Sequence, residues 1–240
     1  MRSARQLMVL VLRAFFAVLF AVVDFEAKGK VNETIELYSG SGFVKLFNKI
    51  RFWDAPMVEI EKMVPRKGLI IDLGSGDGLL GNFLALSEPE RNVVGVELNE
   101  MRAKEADRGL KNVKFEKGDI LKTNLTGADV ILLVDVLHHL PSKEKQRVMI
   151  RKCRESLQSG DVLIVAEIIE KPFLKYCFTW FTDAVILPIL FEGKFFSRDF
   201  YYRKDREWLT LLRAEGFRIK KINFKWGMPF SHVIYKCPPE

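Results

Sequence analysis

A glycine-rich turn after a short apolar run is the feature of the sequence best suited to ligand binding. The run Gly68–Leu73 carries the acid Asp72 near its end, and the turn Gly74–Gly78 leads into a helical pattern at Leu79. Glycines in such a turn allow positive φ and let the main chain come close to a nucleotide. The spacing G-x-G-x-G differs from the dinucleotide fingerprint, and no phosphate-binding Lys-Ser/Thr pair follows.

Two further positions carry groups that a nucleoside needs. Glu97 ends the next apolar run, about 20 residues after the loop, where a carboxylate can hold two ribose hydroxyls. Gly118-Asp119-Ile120 follows the third run, a position from which an adenine edge can be read. Ligands of open α/β sheets bind at the carboxyl ends of the strands, so we expect these residues to lie close together.

Apolar runs alternate with helical patterns through the middle of the chain. The runs are Gly68–Leu73, Asn92–Glu97, Val113–Lys117, Ala128–Val134 and Asp161–Glu167. The helical patterns are Leu79–Leu86, Glu100–Gly109, Ser142–Leu157 and, later, Asp205–Glu215. Two last strands follow, roughly Phe217–Lys225 and Phe230–Lys236. Strands that are apolar throughout and alternate with helices predict an α/β protein with a parallel sheet covered on both faces.

Residues 67–170 resemble the core of the class I S-adenosylmethionine-dependent methyltransferases. The resemblance rests on the glycine loop, Glu97 and Gly118-Asp119-Ile120. The resemblance implies a Rossmann-like, doubly wound sheet of seven strands, mostly parallel with an antiparallel last strand, and S-adenosylmethionine as cofactor. It places Asp72 at the methionine end of the cofactor, which it contacts through a water molecule. The other implied cofactor-binding residues are Gly74, Ser75, Gly76 and Gly78 at the methionine and ribose, Glu97 and Leu98 at the ribose, Asp119 and Ile120 at the adenine, and Asp135.

The turn after the fourth strand, Asp135–Pro141, contains the sequence Leu-His-His-Leu-Pro. It resembles the corresponding turn of small-molecule methyltransferases, including quinone-type enzymes and plant phenolic O-methyltransferases. In the phenolic enzymes a histidine at the position of His138 is the base that takes the acceptor's proton, and an acid at the position of Glu167 orients it. Two alternatives stay open, which are His139 as the base and a turn that only shapes the pocket, with catalysis by proximity. Tyr38 lies where related enzymes place an aromatic ring over the site.

The segment 171–200 is expected to form the acceptor side of the site. It is rich in Phe, Tyr and Trp and carries four cations, Lys171, Lys175, Lys194 and Arg198. An aromatic wall with a cationic rim suits a lipophilic or lipid-like acceptor that bears a phosphate or carboxylate. An ordinary hydrophobic cap or a dimer interface is the alternative, so a homo-oligomer stays open.

The segment Leu7–Val23 is apolar apart from Arg13. It is short for a bilayer span, which needs ~20 residues, and a mid-bilayer Arg costs at least ~2.5 kcal/mol. Arg2, Arg5 and Arg13 fall on one side of a helix, which favours a helix lying on an anionic membrane surface. A targeting segment and a helix packed on its own protein are the alternatives.

The predicted organisation is therefore an apolar helix at 1–25, a helical cap at 26–66 and a methyltransferase domain at 67–240 with the aromatic insert. The middle of the chain, 67–170, has 15 basic and 17 acidic residues, whereas the last 70 residues have 13 basic and 7 acidic. The basic flanks suit an anionic lipid surface, an anionic substrate or nucleic acid, or are simply solvated.

Composition limits the classes of protein further. With 48% hydrophobic and 29% charged residues the chain is not disordered or fibrous. The 3 cysteines, without a C-x-x-C motif, exclude a disulfide scaffold and a cysteine zinc site and suggest a reducing compartment. We expect no metal and a cytoplasmic protein held peripherally at a membrane by its N-terminal helix.

Three other functions remain open at this point. The first is a lysine methyltransferase acting on a membrane protein, although such enzymes lack the His-His-Leu-Pro turn. The second is a non-catalytic cofactor-binding homologue. The third is an RNA methyltransferase, but the chain has neither an added RNA-binding module nor the N/D-P-P-Y/F signature, so no nucleic-acid partner is expected.

Overall fold

The strands of the sheet follow the apolar runs of the sequence closely. The structure is a computed structural model, and it describes residues 6, 9–10, 25–38, 42–169, 173–186, 189, 200–223 and 232–240. The strands are β1 (Gly68–Leu73), β2 (Arg91–Glu97), β3 (Val113–Lys117), β4 (Val130–Val134), β5 (Val162–Ile168), β6 (Lys220–Asn223) and β7 (His232–Cys237).

The sheet has seven strands in the order β3-β2-β1-β4-β5-β7-β6. Strand β7 runs antiparallel to both of its neighbours, and the remaining pairs are parallel. This confirms the Rossmann-like sheet, mostly parallel with an antiparallel last strand. The strand order reverses between β1 and β4, so the carboxyl ends of these two strands open the crevice in which such sheets bind ligands.

Helices cover the sheet and build the cap before it. They are α1 (Gly29–Leu37), α2 (Gly42–Asp54), α3 (Met57–Glu61), α4 (Leu79–Ser87), α5 (Glu100–Ala106), α6 (Lys143–Ser156), α7 (Phe173–Phe181) and α8 (Asp205–Ala214). A short 3₁₀ turn, Leu137–His139, follows β4, and a π-helical turn, Thr182–Ile186, follows α7. The helical cap predicted at 26–66 corresponds to α1, α2 and α3.

The core lies on both faces of the sheet because successive residues of a strand point to opposite sides. In β4, Ile131 and Leu133 join one buried cluster with Trp208 of α8. Val130 and Leu132 join the other cluster, which contains residues of the cap. A sheet buried on both faces explains why its central strands are apolar throughout.

The differences from the predicted elements are local. Phe217 forms only an isolated bridge with Pro239, and β6 begins at Lys220. Residues 224–231, between β6 and β7, lie outside the described residues, as do 191–199 of the aromatic insert and nearly all of the expected helix at 1–25. No helix in the described part of the chain has the length and apolarity needed to span a bilayer.

Candidate active site

The glycine loop is built by close contacts that only glycine allows. Gly74 and Gly78 both have φ of 78°. A Cβ on Gly74 would lie 2.3 Å from the side chain of Val136, and one on Gly78 would lie 2.7 Å from Ala106 and Phe115. The loop therefore packs tightly between α5, β3 and the turn after β4, with its main chain held at the crevice.

Glu97 ties this loop to the end of β2. Its Oε2 accepts a hydrogen bond from the Gly76 amide at 3.0 Å, and its Oε1 accepts one from the Asn99 amide at 2.9 Å. Each carboxylate oxygen has two lone pairs, so both can also accept from a ligand hydroxyl. The neighbouring Leu98 is 70% exposed at the same edge of the sheet.

The two residues predicted to lie beside the adenine, Asp119 and Ile120, differ in their contacts. The Asp119 carboxylate accepts from the Leu121 amide at 3.0 Å and so stabilises its own turn. Ile120 is buried in the core cluster that contains Trp208. The place of Ile120 beside the adenine therefore stays a prediction.

Three buried polar atoms around the loop have no hydrogen-bond partner among the described residues. They are Oδ2 of Asp72, Oγ of Ser75 and Oδ1 of Asp135. Two carboxylate oxygens and a hydroxyl suit the ammonium and sulfonium charges of S-adenosylmethionine, so the residues present fit the cofactor that the resemblance implies. Burial raises the pKa of the Asp72 carboxyl to about 7; Arg51 opposes this rise, and the charge of Glu97 adds to it.

Glu167 holds the turn after β4 with both of its carboxylate oxygens. Oε1 accepts from the Leu137 amide at 2.7 Å, and Oε2 lies 2.7 Å from Nδ1 of His138. Both side chains are at most 2% exposed. A carboxylate beside Nδ1 favours the tautomer with the proton on Nδ1, and the lone pair is then on Nε2. The predicted pairing of His138 with Glu167 is present as a contact.

Aromatic rings pack against the two histidines of the turn after β4. The Tyr202 ring stacks on His138 with centroids 4.8 Å apart, and Phe200 meets His139 edge-on at 5.3 Å. Tyr176 of α7 meets Tyr202 edge-on at 5.5 Å. These three rings, Tyr176, Phe200 and Tyr202, are named the aromatic wall below. The insert and the segment after it thus bring an apolar surface to the histidines.

Asp135 has a partner that reasoning from the sequence missed. It is the only described non-glycine residue with positive φ, at 51°, and its Oδ2 lies 3.1 Å from Nε2 of His232 on β7. Burial opposes the charge on Asp135, but His232 holds the pKa of that carboxyl below its ordinary value. A lone histidine at the start of an otherwise apolar strand was the available signal, since a buried imidazole needs a polar partner.

Two residues before β1, Tyr38 and Arg51, contact the glycine loop. Tyr38 was expected over the active site, but its ring is buried and its hydroxyl donates to the Asp77 carbonyl at 2.9 Å. Arg51 of α2 donates to the Asp77 carboxylate at 2.6 and 2.7 Å. Both residues therefore brace the loop from outside. Among the described residues, no cluster of three or more His, Cys, Asp or Glu side chains could hold a metal ion.

A family model described as a methyltransferase domain matches residues 66–187, just over half of the 240-residue chain. A search of curated proteins found no significant sequence match.

Many solved structures share the fold. Mitomycin 7-O-methyltransferase has a TM-score of 0.60 at 20% identity, over 89% of this chain and 61% of that one. Magnesium protoporphyrin IX methyltransferase from Synechocystis PCC 6803, crystallised with S-adenosylhomocysteine, has a TM-score of 0.61 at 18% identity, over 88% and 93%.

A third structure is the O-methyltransferase of neocarzinostatin biosynthesis, in complex with S-adenosylmethionine and a hydroxy-methyl naphthoic acid. It has a TM-score of 0.58 at 19% identity, over 81% of this chain and 56% of that one. The chain thus spans 61% of the length of the mitomycin 7-O-methyltransferase and 56% of the length of the neocarzinostatin enzyme. At these identities the likeness shows the fold.

Proposed function

This chain belongs to the methyltransferase-domain family, and we propose that it methylates a small lipophilic or lipid-like acceptor at a membrane surface, on a hydroxyl oxygen. It is an S-adenosylmethionine-dependent methyltransferase, and the cofactor is S-adenosylmethionine. The acceptor, the atom methylated and the membrane are the proposed part.

The residues of the cofactor site have separable tasks. Asp72 and Asp135 offer unpaired carboxylate oxygens to the positive charges of the methionine end, and Glu97 accepts from the ribose hydroxyls. The glycine loop brings main-chain groups close to the ligand. When bound, S-adenosylmethionine supplies an electrophilic methyl group whose bond to sulfur breaks to leave a neutral thioether.

The observation that carries the proposal is the buried His138–Glu167 pair facing the aromatic wall. With Nδ1–H donated to Glu167, Nε2 of His138 accepts the proton as the acceptor's O–H bond breaks. The oxygen keeps the electron pair of that bond and uses it to bond the methyl carbon. Glu167 stabilises the imidazolium that forms, and the wall limits access of water.

The aromatic wall supports a lipophilic acceptor. Phe200 and Tyr202 lie against the two histidines, and Tyr176 packs on Tyr202. The wall therefore borders the place where an acceptor hydroxyl must come for its proton to reach His138. The related O-methyltransferase that binds a naphthoic acid shows that this fold accepts a planar ring with hydroxyl and carboxylate groups. A rigid apolar ring or an isoprenoid chain would bury well against such a surface.

Helix α7 supports action at a membrane surface. One side of the helix brings Tyr176 to the aromatic wall, while Phe173 is 70% exposed and Phe181 is 48% exposed. Exposed aromatic side chains next to a site are typical of membrane-interface contacts. The apolar segment Leu7–Val23 and the basic excess of the last 70 residues favour the same surface.

The acceptor is tested with S-adenosylmethionine labelled in its methyl group and an extract divided after reaction into organic, protein and RNA fractions. Label in the organic fraction supports the proposal. Label in protein instead indicates a lysine methyltransferase, and label in RNA a nucleic-acid enzyme. Bound cofactor with label in no fraction indicates a non-catalytic homologue.

The membrane contact is tested by flotation with vesicles of phosphatidylcholine and phosphatidylglycerol. The full chain should float with these vesicles, and a chain that lacks residues 1–25 should float much less. Vesicles of phosphatidylcholine alone are the control, because they lack the anionic charge that attracts the basic flanks. A full chain that stays in solution would contradict membrane association.

A further inference from the structure

We propose that Tyr202 is a positioning residue that stabilises the protonated form of His138, which rests on the proposed role of His138 as the base. The His138 ring meets charge-stabilising groups in two directions. Glu167 lies in hydrogen-bond contact at Nδ1, and Tyr202 covers a face of the imidazole. The first group compensates the cation as an ion pair, and the second does so through its π electrons.

The geometry of the two rings is that of a cation–π contact. Their centroids are 4.8 Å apart and their planes differ by 17°, so the imidazole lies flat on the tyrosine face. A cation within about 6 Å of an aromatic face is attracted by the ring quadrupole, and more strongly where water is excluded. His138 is only 2% exposed, so water does not weaken the attraction between the imidazolium and the tyrosine ring.

Burial makes this stabilisation matter for the reaction. A buried imidazole resists protonation, because its cation loses the solvation of water. His138 must nevertheless become a cation when it takes the acceptor's proton. The titratable groups that face it include Glu167 on β5, Asp135 and His139 on its own turn, and Tyr202. Of these, the Tyr202 ring favours the cation without carrying a charge of its own.

A network of hydrogen bonds fixes Tyr202 in this place. The amide of Tyr201 donates to the His138 carbonyl at 2.8 Å. The side-chain nitrogen of buried Gln146 donates to the carbonyls of Leu137 at 3.0 Å and Tyr201 at 2.7 Å. Both main-chain polar groups of Tyr201, directly before Tyr202, are thus tied to the turn that carries His138, the amide directly and the carbonyl through Gln146. These contacts hold the chain beside the turn and so support the stacking.

Tyr176, on α7, also packs against Tyr202. Its ring meets Tyr202 edge-on, with the planes at 82° and the centroids 5.5 Å apart. Edge-to-face packing directs the positive edge of one ring at the negative face of the other and restricts its rotation. Tyr202 is therefore held by α7 as well as by the turn.

The experiment is a pH titration of the histidines by NMR in the full chain labelled with ¹³C-histidine, which needs no acceptor. The protein has 3 histidines, and His139→Gln and His232→Gln assign the signals by elimination. In Tyr202→Leu the midpoint of the His138 titration should fall by about 0.5 to 1 pH unit. Tyr202→Phe keeps the aromatic face and should change it by less than about 0.2 unit.

Tyr201→Leu is the matched control, because Tyr201 is the residue directly before Tyr202 and is 39% exposed. It should leave the midpoint of His138 unchanged. Tyr202→Met has a longer, more flexible side chain of similar volume and repeats the test if the leucine variant unfolds. Equal midpoints in the wild type and a folded Tyr202→Leu or Tyr202→Met variant, or no His138 titration in either, would overturn the proposal.

Failure of this inference is distinct from failure of the proposed function. If His138→Gln abolishes methyl transfer while Tyr202→Leu leaves the His138 titration unchanged, His138 is still supported as the base, and Tyr202 does not stabilise its protonated form. If His138→Gln transfers methyl groups at the wild-type rate, the base is wrong and the tuning has no part in the reaction.

Discussion

One guanidinium nitrogen of Arg51, on α2 of the cap, lies 2.6 and 2.7 Å from the two carboxylate oxygens of Asp77, in the glycine loop. Burial opposes the charge of Asp77, but the Arg51 cation holds the pKa of that carboxyl below its ordinary value. The cap and the cofactor loop are therefore joined by an ion pair, so displacement of one disturbs the other.

Arg51→Ala should weaken cofactor binding and lower the free energy of unfolding by about 1 to 2 kcal/mol, because the Asp77 carboxylate loses its charged donor. Calorimetric titration with S-adenosylmethionine and denaturant unfolding measure the two effects. Arg66→Ala is the control, since the Arg66 side chain is 88% exposed beside Glu88. It should change stability by less than about 0.5 kcal/mol. Equal effects of both substitutions would contradict the coupling.

Cofactor affinity should rise with pH through the titration of Asp72. The pKa of this carboxyl is raised to about 7 mainly by burial, so it is largely protonated at pH 6 and ionised at pH 8. The ionised form attracts the cofactor's ammonium, and the wild type should therefore bind about tenfold more tightly at pH 8 than at pH 6. Asp72→Asn should bind weakly with no such dependence. The idea fails if wild-type affinity is the same at both values.

Glu97→Ala should weaken cofactor binding by about 1 to 3 kcal/mol, because charge-assisted hydrogen bonds to the ribose are lost. The substitution also removes the acceptor of the Gly76 amide. Glu155→Ala, at an exposed position of α6, removes the same charge away from the site and should bind normally. Calorimetry with S-adenosylhomocysteine compares the two, and unchanged affinity in Glu97→Ala would remove the ribose assignment.

The His232–Asp135 pair predicts a stability difference that depends on pH. Burial opposes the charge of His232, but Asp135 raises its pKa in the folded state above the ordinary value. The stabilisation is therefore present below about pH 6.5 and is lost as the pH rises through the folded pKa. At low pH it is lost again when Asp135, whose pKa is lowered, takes a proton.

His232→Gln should accordingly lower the free energy of unfolding by about 1 to 2 kcal/mol near pH 6, and by less near pH 9. Urea unfolding at the two values measures this. His139→Gln removes a more exposed imidazole and should change stability by less than about 0.5 kcal/mol at either pH. A loss in His232→Gln that is the same at both pH values would show that the pair is not charged.

Much of the fold could be predicted from the sequence because its signals are local. The buried parallel strands appear as apolar runs, and the loop Gly74–Gly78 shows its need for positive φ in its glycines. The pairing of His138 with Glu167 could be anticipated only from a resemblance, since 29 positions separate them and nothing local joins them. Their roles, like those of Leu98 and Ile120, stay predictions.

The remaining contacts of the site depend on tertiary packing. Arg51 contacts Asp77 only because α2 folds over the loop. His232 contacts Asp135 although 97 positions of the sequence separate them. In the sequence Gln146 looks like any polar residue of a helix. In the structure its side-chain amide donates hydrogen bonds to the carbonyls of Leu137 and Tyr201 and so connects the His138 turn to Tyr201. Polar side chains of this kind are recognised only when the fold shows what they face.

The role of His138 as the base is tested most directly by a single-turnover measurement of methyl transfer in the wild type and in His138→Gln. Both are loaded with labelled S-adenosylmethionine and given the organic extract as source of acceptor. We expect a rate about 100-fold lower in His138→Gln with cofactor affinity within about twofold, because a general base contributes at least that factor. A rate in His138→Gln within about threefold of the wild type would contradict it and leave proximity as the mechanism.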